Sequence, residues 1–85
     1  PAFHPSAGQT VHAIADEFFV VERFGGEQRI LCVFNFTPSR RSFREWTKVP
    51  AFAARDSFHD LLSDRNLRPR KRGIQLAPYQ ALWLS

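Results

Sequence analysis

EFFVVERFGGEQRILCVFNF, residues Glu17 to Phe36, contains the strongest structural signal in the chain. Two runs rich in β-branched and aromatic residues flank Gly25-Gly26, and glycine tolerates the positive φ that a two-residue hairpin turn requires. The stretch therefore predicts an antiparallel hairpin. With Gly25 and Gly26 as the turn residues, Glu22 lies opposite Arg29, Val20 opposite Leu31 and Phe18 opposite Val33. Val21 then lies opposite Ile30, and Phe19 opposite Cys32, on the other face. The complementary charges of Glu22 and Arg29 support this register.

Away from the turn the hairpin is apolar on both faces. Phe18, Val20, Leu31 and Val33 line one, while Phe19, Val21, Ile30, Cys32 and Phe34 line the other. An antiparallel sheet with one solvated face alternates apolar with polar residues, so a second apolar face implies a second contact. Possible covers are a neighbouring domain, another copy of the chain, or the N-terminal segment from Phe3 to Val11. Val20 and Leu31 are assigned to the outward face, where replacement by Ser should cost the isolated domain about 1 kcal/mol or less.

Beyond Thr37-Pro38-Ser39, a turn cluster, RRSFREWTKV reads as a more exposed strand near an edge, with Phe43 inward. Pro50 blocks its continuation, and Asp60 to Ser63 reads as a short strand or helical turn. Arg65 to Gly73, RNLRPRKRG, reads as a loop because Asn, Pro and Gly punctuate it and it has almost no apolar content. Gly73 to Leu76 and Ala81 to Leu84 form two short strands around Ala77 to Gln80. No stretch keeps a 3.6-residue apolar period over three turns, so the class is all-β: a small antiparallel sandwich, Greek-key-like, of roughly six to eight strands.

The 85 residues make a single domain, spanning 1–85, whose core is small for the surface it must cover. The chain begins at Pro1 and contains no methionine, and it reads as a fragment of a longer polypeptide. It has no apolar run long enough to cross a bilayer and no secretory signal pattern at its start, and a cytoplasmic setting is expected. Its only cysteine, Cys32, sits between Leu31 and Val33, which predicts a reduced, inert core residue and rules out an intramolecular disulfide. The formal charge of +4 is unevenly placed. Pro1 to Pro38 holds two basic and four acidic residues, and Ser39 to Ser85 holds ten basic and four acidic.

The residue types for catalysis are present, but not in working patterns. His59 adjoins Asp60, yet strand neighbours point to opposite faces, and no serine sits in a nucleophile elbow. His4, His12 and His59 lack metal-ligand spacing, so no metal and no cofactor is expected. No two carboxylates stand out as a glycosidase pair. The basic cluster Arg65, Arg68, Arg70, Lys71 and Arg72 could neutralise phosphates, but it lacks interleaved aromatics and any nucleic-acid motif, and a solvated loop or a domain contact is the better reading. Trp46 is the candidate for stacking on a sugar ring, ahead of Tyr79 and Trp83, with a place in the core as the competing reading.

AFHP at Ala2 to Pro5, RFGGEQRILCVFNFTPS at Arg23 to Ser39, DLLS at Asp60 to Ser63 and LAPYQALWLS at Leu76 to Ser85 occur in an order and spacing with a known counterpart. Together they resemble the C-terminal β-sandwich of α-amylase superfamily enzymes, closest to the sucrose phosphorylase-like branch. The resemblance implies a parent enzyme that acts on α-glucosides with retention, in carbohydrate metabolism, with its catalytic carboxylates on a preceding (β/α)8 barrel. None of those carboxylates lies in this chain. The domain's implied role is to pack on and stabilise that barrel, its partner in the same polypeptide. Self-association through the apolar face, carbohydrate binding, or nucleic-acid binding through the basic cluster are the rival readings. The Arg-rich loop departs from the family pattern.

Overall fold

The computed structural model describes residues 8–13, 16–25, 28–69 and 73–85, and these are all-β. The strands are β1 (Gly8–His12), β2 (Phe18–Gly25), β3 (Gln28–Asn35), β4 (Arg41–Phe43), β5 (Phe58–Asp60), β6 (Arg65–Leu67), β7 (Ile74–Leu76) and β8 (Ala81–Leu84). Six of them form an antiparallel sheet in the order β1-β2-β3-β8-β5-β6, and β4 and β7 pair as a second, two-stranded sheet. From β3 the chain passes to the small sheet, returns for β5 and β6, visits the small sheet again at β7, and closes beside β3 as β8. The chain thus passes between the two layers as a small antiparallel sandwich does, but the strand order is not that of a Greek key, in which a fourth strand returns beside the first of three hairpin-linked ones.

The β2–β3 hairpin forms, with its turn one residue further along. Gly25 pairs with Gln28, Phe24 with Arg29, Glu22 with Leu31 and Val20 with Val33. Gly25 is thus a strand residue, and the two positions after it lie outside the described residues. Each partner has moved by two positions, a full period of the pleat, so the grouping of residues into faces survives. Glu22 and Arg29 still meet, but diagonally, with Arg29 Nη1 donating to Glu22 Oε2 at 2.8 Å. The Arg29 guanidinium also lies over the Phe24 ring, 5.2 Å from its centroid, so the same head group faces an aromatic ring and reaches the acid.

The two faces are the reverse of the sequence assignment. Phe18, Val20, Leu31 and Val33 are buried in the core, so Val20 and Leu31 point inward. Phe19 and Phe34 are the exposed pair, and Val21 and Cys32 lie half-buried beside them on the outer face. The partner strands make the choice: Leu31 aligns with Leu84 and Val33 with Leu82, both buried, and these meet Phe43, Ile74 and Leu76 of the small sheet. Ile30, on the outer side, is also fully buried but stands apart from the central cluster.

RRSFREWTKV is a strand only as far as Phe43; a 3-10 helix follows at Glu45–Lys48. Its turns continue as bonds from Val49 N to the Trp46 carbonyl, from Phe52 N to the Val49 carbonyl and from Arg55 N to the Phe52 carbonyl. A three-residue period places Trp46, Val49 and Phe52 on one side, where all three enter the core. Phe43 meets Phe18 of the large sheet edge-on at 5.2 Å, and Trp46 meets Phe58 edge-on at 5.6 Å. Arg65 to Leu67, within the expected loop, is a strand, β6, because it pairs with β5 across the turn at residues 61–64. Of the segment Phe3 to Val11, expected as a possible cover, residues 3–7 lie outside the described residues, and Gly8 to Val11 instead extend the sheet beside β2 as part of β1.

Gly73 has a φ of +73° and stands so close to β4 that a Cβ there would meet the Phe43 carbonyl oxygen. Both facts require glycine where the chain enters β7. Val20→Ser or Leu31→Ala should lower the urea unfolding free energy by about 2–4 kcal/mol, through lost apolar burial and either a buried hydroxyl or a cavity. Phe19→Ser on the outer face should cost about 1 kcal/mol or less. Equal losses at both kinds of site would show that the outer face is internal too.

Candidate functional site

The buried polar groups are the first places to look for chemistry. The Asn35 side chain donates to the carbonyls of Ser39 (2.8 Å) and Ala77 (2.9 Å), and its Oδ1 accepts from Thr37 N (3.0 Å) and Thr37 Oγ1 (2.7 Å). One amide thereby ties the end of β3, the following turn and the β7–β8 connection. Asp60, also buried, accepts from Ser63 Oγ at 2.6 Å, from Trp83 N at 2.9 Å and from the Leu62 and Ser63 amides at 3.3 Å. These donors fix the turn of the Asp60-to-Ser63 motif and join it to β8. Glu22, the third buried polar residue, accepts from Arg29 and lies 3.1 Å from His12 Nε2. All three are engaged in holding the fold.

Trp46, the candidate sugar platform, is a core residue packed against Phe43 and Phe58, so its ring offers no free face. His12 is bound to Glu22, and His4 lies outside the described residues. His59 and Asp60 point to opposite faces, as strand alternation requires. Among the described residues no group of three or more His, Cys, Asp or Glu is placed to hold a metal ion. Cys32 is on the outer face, not in the core, and burial, partly offset by the Arg23 charge, raises its thiol above the ordinary value. A raised thiol pKa keeps the group protonated and a poor nucleophile. Of the basic cluster, Arg65 and Arg68 are described and exposed, and Arg70 to Arg72 lie outside the described residues.

The feature that sequence reasoning missed is a group of exposed aromatics at one end of the large sheet. Phe19 and Phe34 are cross-strand partners on the outer face. The Asn35 amide bonds to the Gln80 carbonyl at 2.9 Å, which carries the β3·β8 register one step past Phe34↔Ala81 and brings Phe36 and Tyr79 to the same end. Phe19 is 52% exposed, Phe36 48% and Tyr79 59%, with Val11 at 57% further along the outer face. Tyr79 also has a φ of +58°, uncommon for a bulky side chain. The available signal was the Pro78-Tyr79 turn beside the apolar end of β3.

Set against family models, curated proteins and solved structures, the chain matches none. Its architecture is an all-β, antiparallel, two-sheet domain with one apolar interior and an aromatic patch on its outer face. No described helix is long and apolar enough to cross a membrane.

Asp60→Ala should lower stability by about 2–4 kcal/mol, because it removes the buried carboxylate that accepts from the Trp83 amide and from the turn donors. Asn35→Ala should cost a similar amount. Chemical denaturation of the two variants checks this, and a change below about 0.5 kcal/mol in either would mean that these networks do not hold the turns in place.

Proposed function

We propose that this is a non-catalytic accessory domain that packs, through the outer face of its six-stranded sheet, on the (β/α)8 barrel of an α-amylase superfamily enzyme, sucrose phosphorylase-like in type. The observation that carries the reading is the exposure of Phe19, Phe34, Phe36 and Val11 on the side of the sheet away from the core. Clustered exposed apolar residues mark contact surfaces, and aromatic anchors contribute most of the energy of such contacts. The ordered sequence words from Arg23 to Ser39 and from Leu76 to Ser85 point to the same domain type. The barrel would carry the nucleophile, the acid/base and the stabilising carboxylate, and this domain would contribute stability.

A carbohydrate-binding role is the second reading, favoured by one observation: Tyr79, whose backbone is in the left-handed region, and Phe36 are both exposed at the same end of the sheet. Two aromatic rings at one edge could stack on pyranose faces.

The 85-residue chain should show no phosphorolysis or hydrolysis of sucrose, other α-glucosides or glucose 1-phosphate; turnover by material free of contaminating enzyme would overturn the accessory reading. Calorimetric titration of the chain into its separately produced barrel should show binding that Phe19→Ser with Phe34→Ser abolishes, while the thermal unfolding of the chain itself barely changes. Binding that survives this double substitution would place the contact elsewhere. Saturable glucan binding that Tyr79→Ala removes would favour the second reading, and salt-dependent, sequence-selective nucleic-acid binding would count against both.

A further inference from the structure

His59, at the centre of β5, has oxygen acceptors on both sides of its ring. Nδ1 lies 2.8 Å from Asn66 Oδ1, on the paired strand β6, and Nε2 lies 2.9 Å from Asp64 Oδ1, in the intervening turn. A neutral imidazole has one N–H, so it can donate to one of these oxygens but not both; the imidazolium donates to both. We propose that the β5–β6 hairpin is clasped by a doubly protonated His59 that bridges strand and turn, and that the clasp opens when the ring gives up a proton.

What the clasp closes is a turn with little else on its outer side. Asp64 has a φ of +55°, in the left-handed region, and its carboxylate is almost fully exposed except for the bond to His59. Leu61 and Leu62, at the tip, are both exposed. On the inner side Asp60 holds Leu62 and Ser63, so the turn is fastened from two faces, of which only the outer fastening involves a histidine. His59 is itself fixed in place, because its backbone pairs with Ser85 through two bonds of 3.2 and 2.9 Å.

The charges around the ring favour the protonated form. Asp64 of the turn and Asp60 of the same strand both act to keep the proton on, and Arg55, before β5, and Arg68, after β6, are the cations that line the same pocket. Arg55 is directed away, with Nη2 donating to the Ser57 and Ser85 carbonyls and the guanidinium over the Phe58 ring. The bond to Asn66 is the largest influence and raises His59 above its ordinary value of 6.5; desolvation comes next and lowers it, and the bond and charge of Asp64 and the charge of Asp60 raise it again, so the net direction is upward. A group raised in the folded state stabilises it at pH below the unfolded value and loses that contribution as pH rises through the folded value. The clasp is therefore closed in mild acid and open in mild base.

The test is a titration of the uniformly 15N-labelled 85-residue chain from about pH 5 to about pH 9, read by long-range 1H–15N spectra of the His59 ring. Both nitrogens should carry protons at the acid end, with a midpoint above 6.5. Amide exchange protection of residues 61–66, corrected for intrinsic pH dependence, should fall severalfold across the same midpoint. Asp64→Asn keeps a side chain that tolerates the left-handed turn and should lower the midpoint, as should Asn66→Ala. An unprotonated Nδ1 at the acid end, a midpoint at or below 6.5, or protection that ignores the titration would each overturn the proposal. The wild-type titration decides the matter even if a variant folds poorly.

Discussion

The edge-on contact between Phe18 of the large sheet and Phe43 of the small one is what makes two layers into one interior. The second layer contributes only six strand residues, Arg41–Phe43 and Ile74–Leu76, too few to cover the leucines and valines of β2, β3 and β8. The rest of the cover comes from Trp46, Val49 and Phe52, delivered by successive three-residue turns. In a sandwich this small, large rings substitute for missing strands, each burying more apolar surface than an aliphatic residue could.

Particular residues show what could be read in advance and what could not. The hairpin, the strands before and after Tyr79 and the all-β class followed from β-branched and aromatic runs with turn residues between them. The choice of inner face did not, because Phe18, Val20, Leu31 and Val33 are as apolar as Phe19, Val21, Cys32 and Phe34, and the distinction rests on which residues of β8 and β7 align with them. Trp46, Val49 and Phe52 were hidden for a different reason: a search for periods of two and 3.6 passes over a period of three. The exposed aromatic end was equally hidden, since it depends on β3 and β8 pairing across more than forty intervening residues, about as non-local as this chain allows.

Asn35 and Asp60 place the most interior polar chemistry of the domain at its joints. Asn35 binds the turn after β3 to the β7–β8 connection, and Asp60 binds the β5–β6 turn to β8. A buried amide or carboxylate with every partner in place accepts one arrangement of the loops around it, whereas apolar packing tolerates several. The layers owe their contact to rings, and the relative positions of the loops owe more to these two side chains.

The ends of the six-stranded sheet have unequal consequences for how the protein behaves in a crowded solution. Among the described residues, β6 ends one side, and it is short, carries Arg65 and leads to Arg68. A short, cationic edge repels a copy of itself. β1 ends the other side with Gly8–His12, which holds no Lys, Arg, Asp or Glu and leaves Val11 exposed. Among the described residues no strand pairs with the outer edge of β1, whose backbone groups form a ladder to which another extended segment could add. Strand exchange between copies, and the polymers that follow from it, would therefore begin at β1 and spare β6.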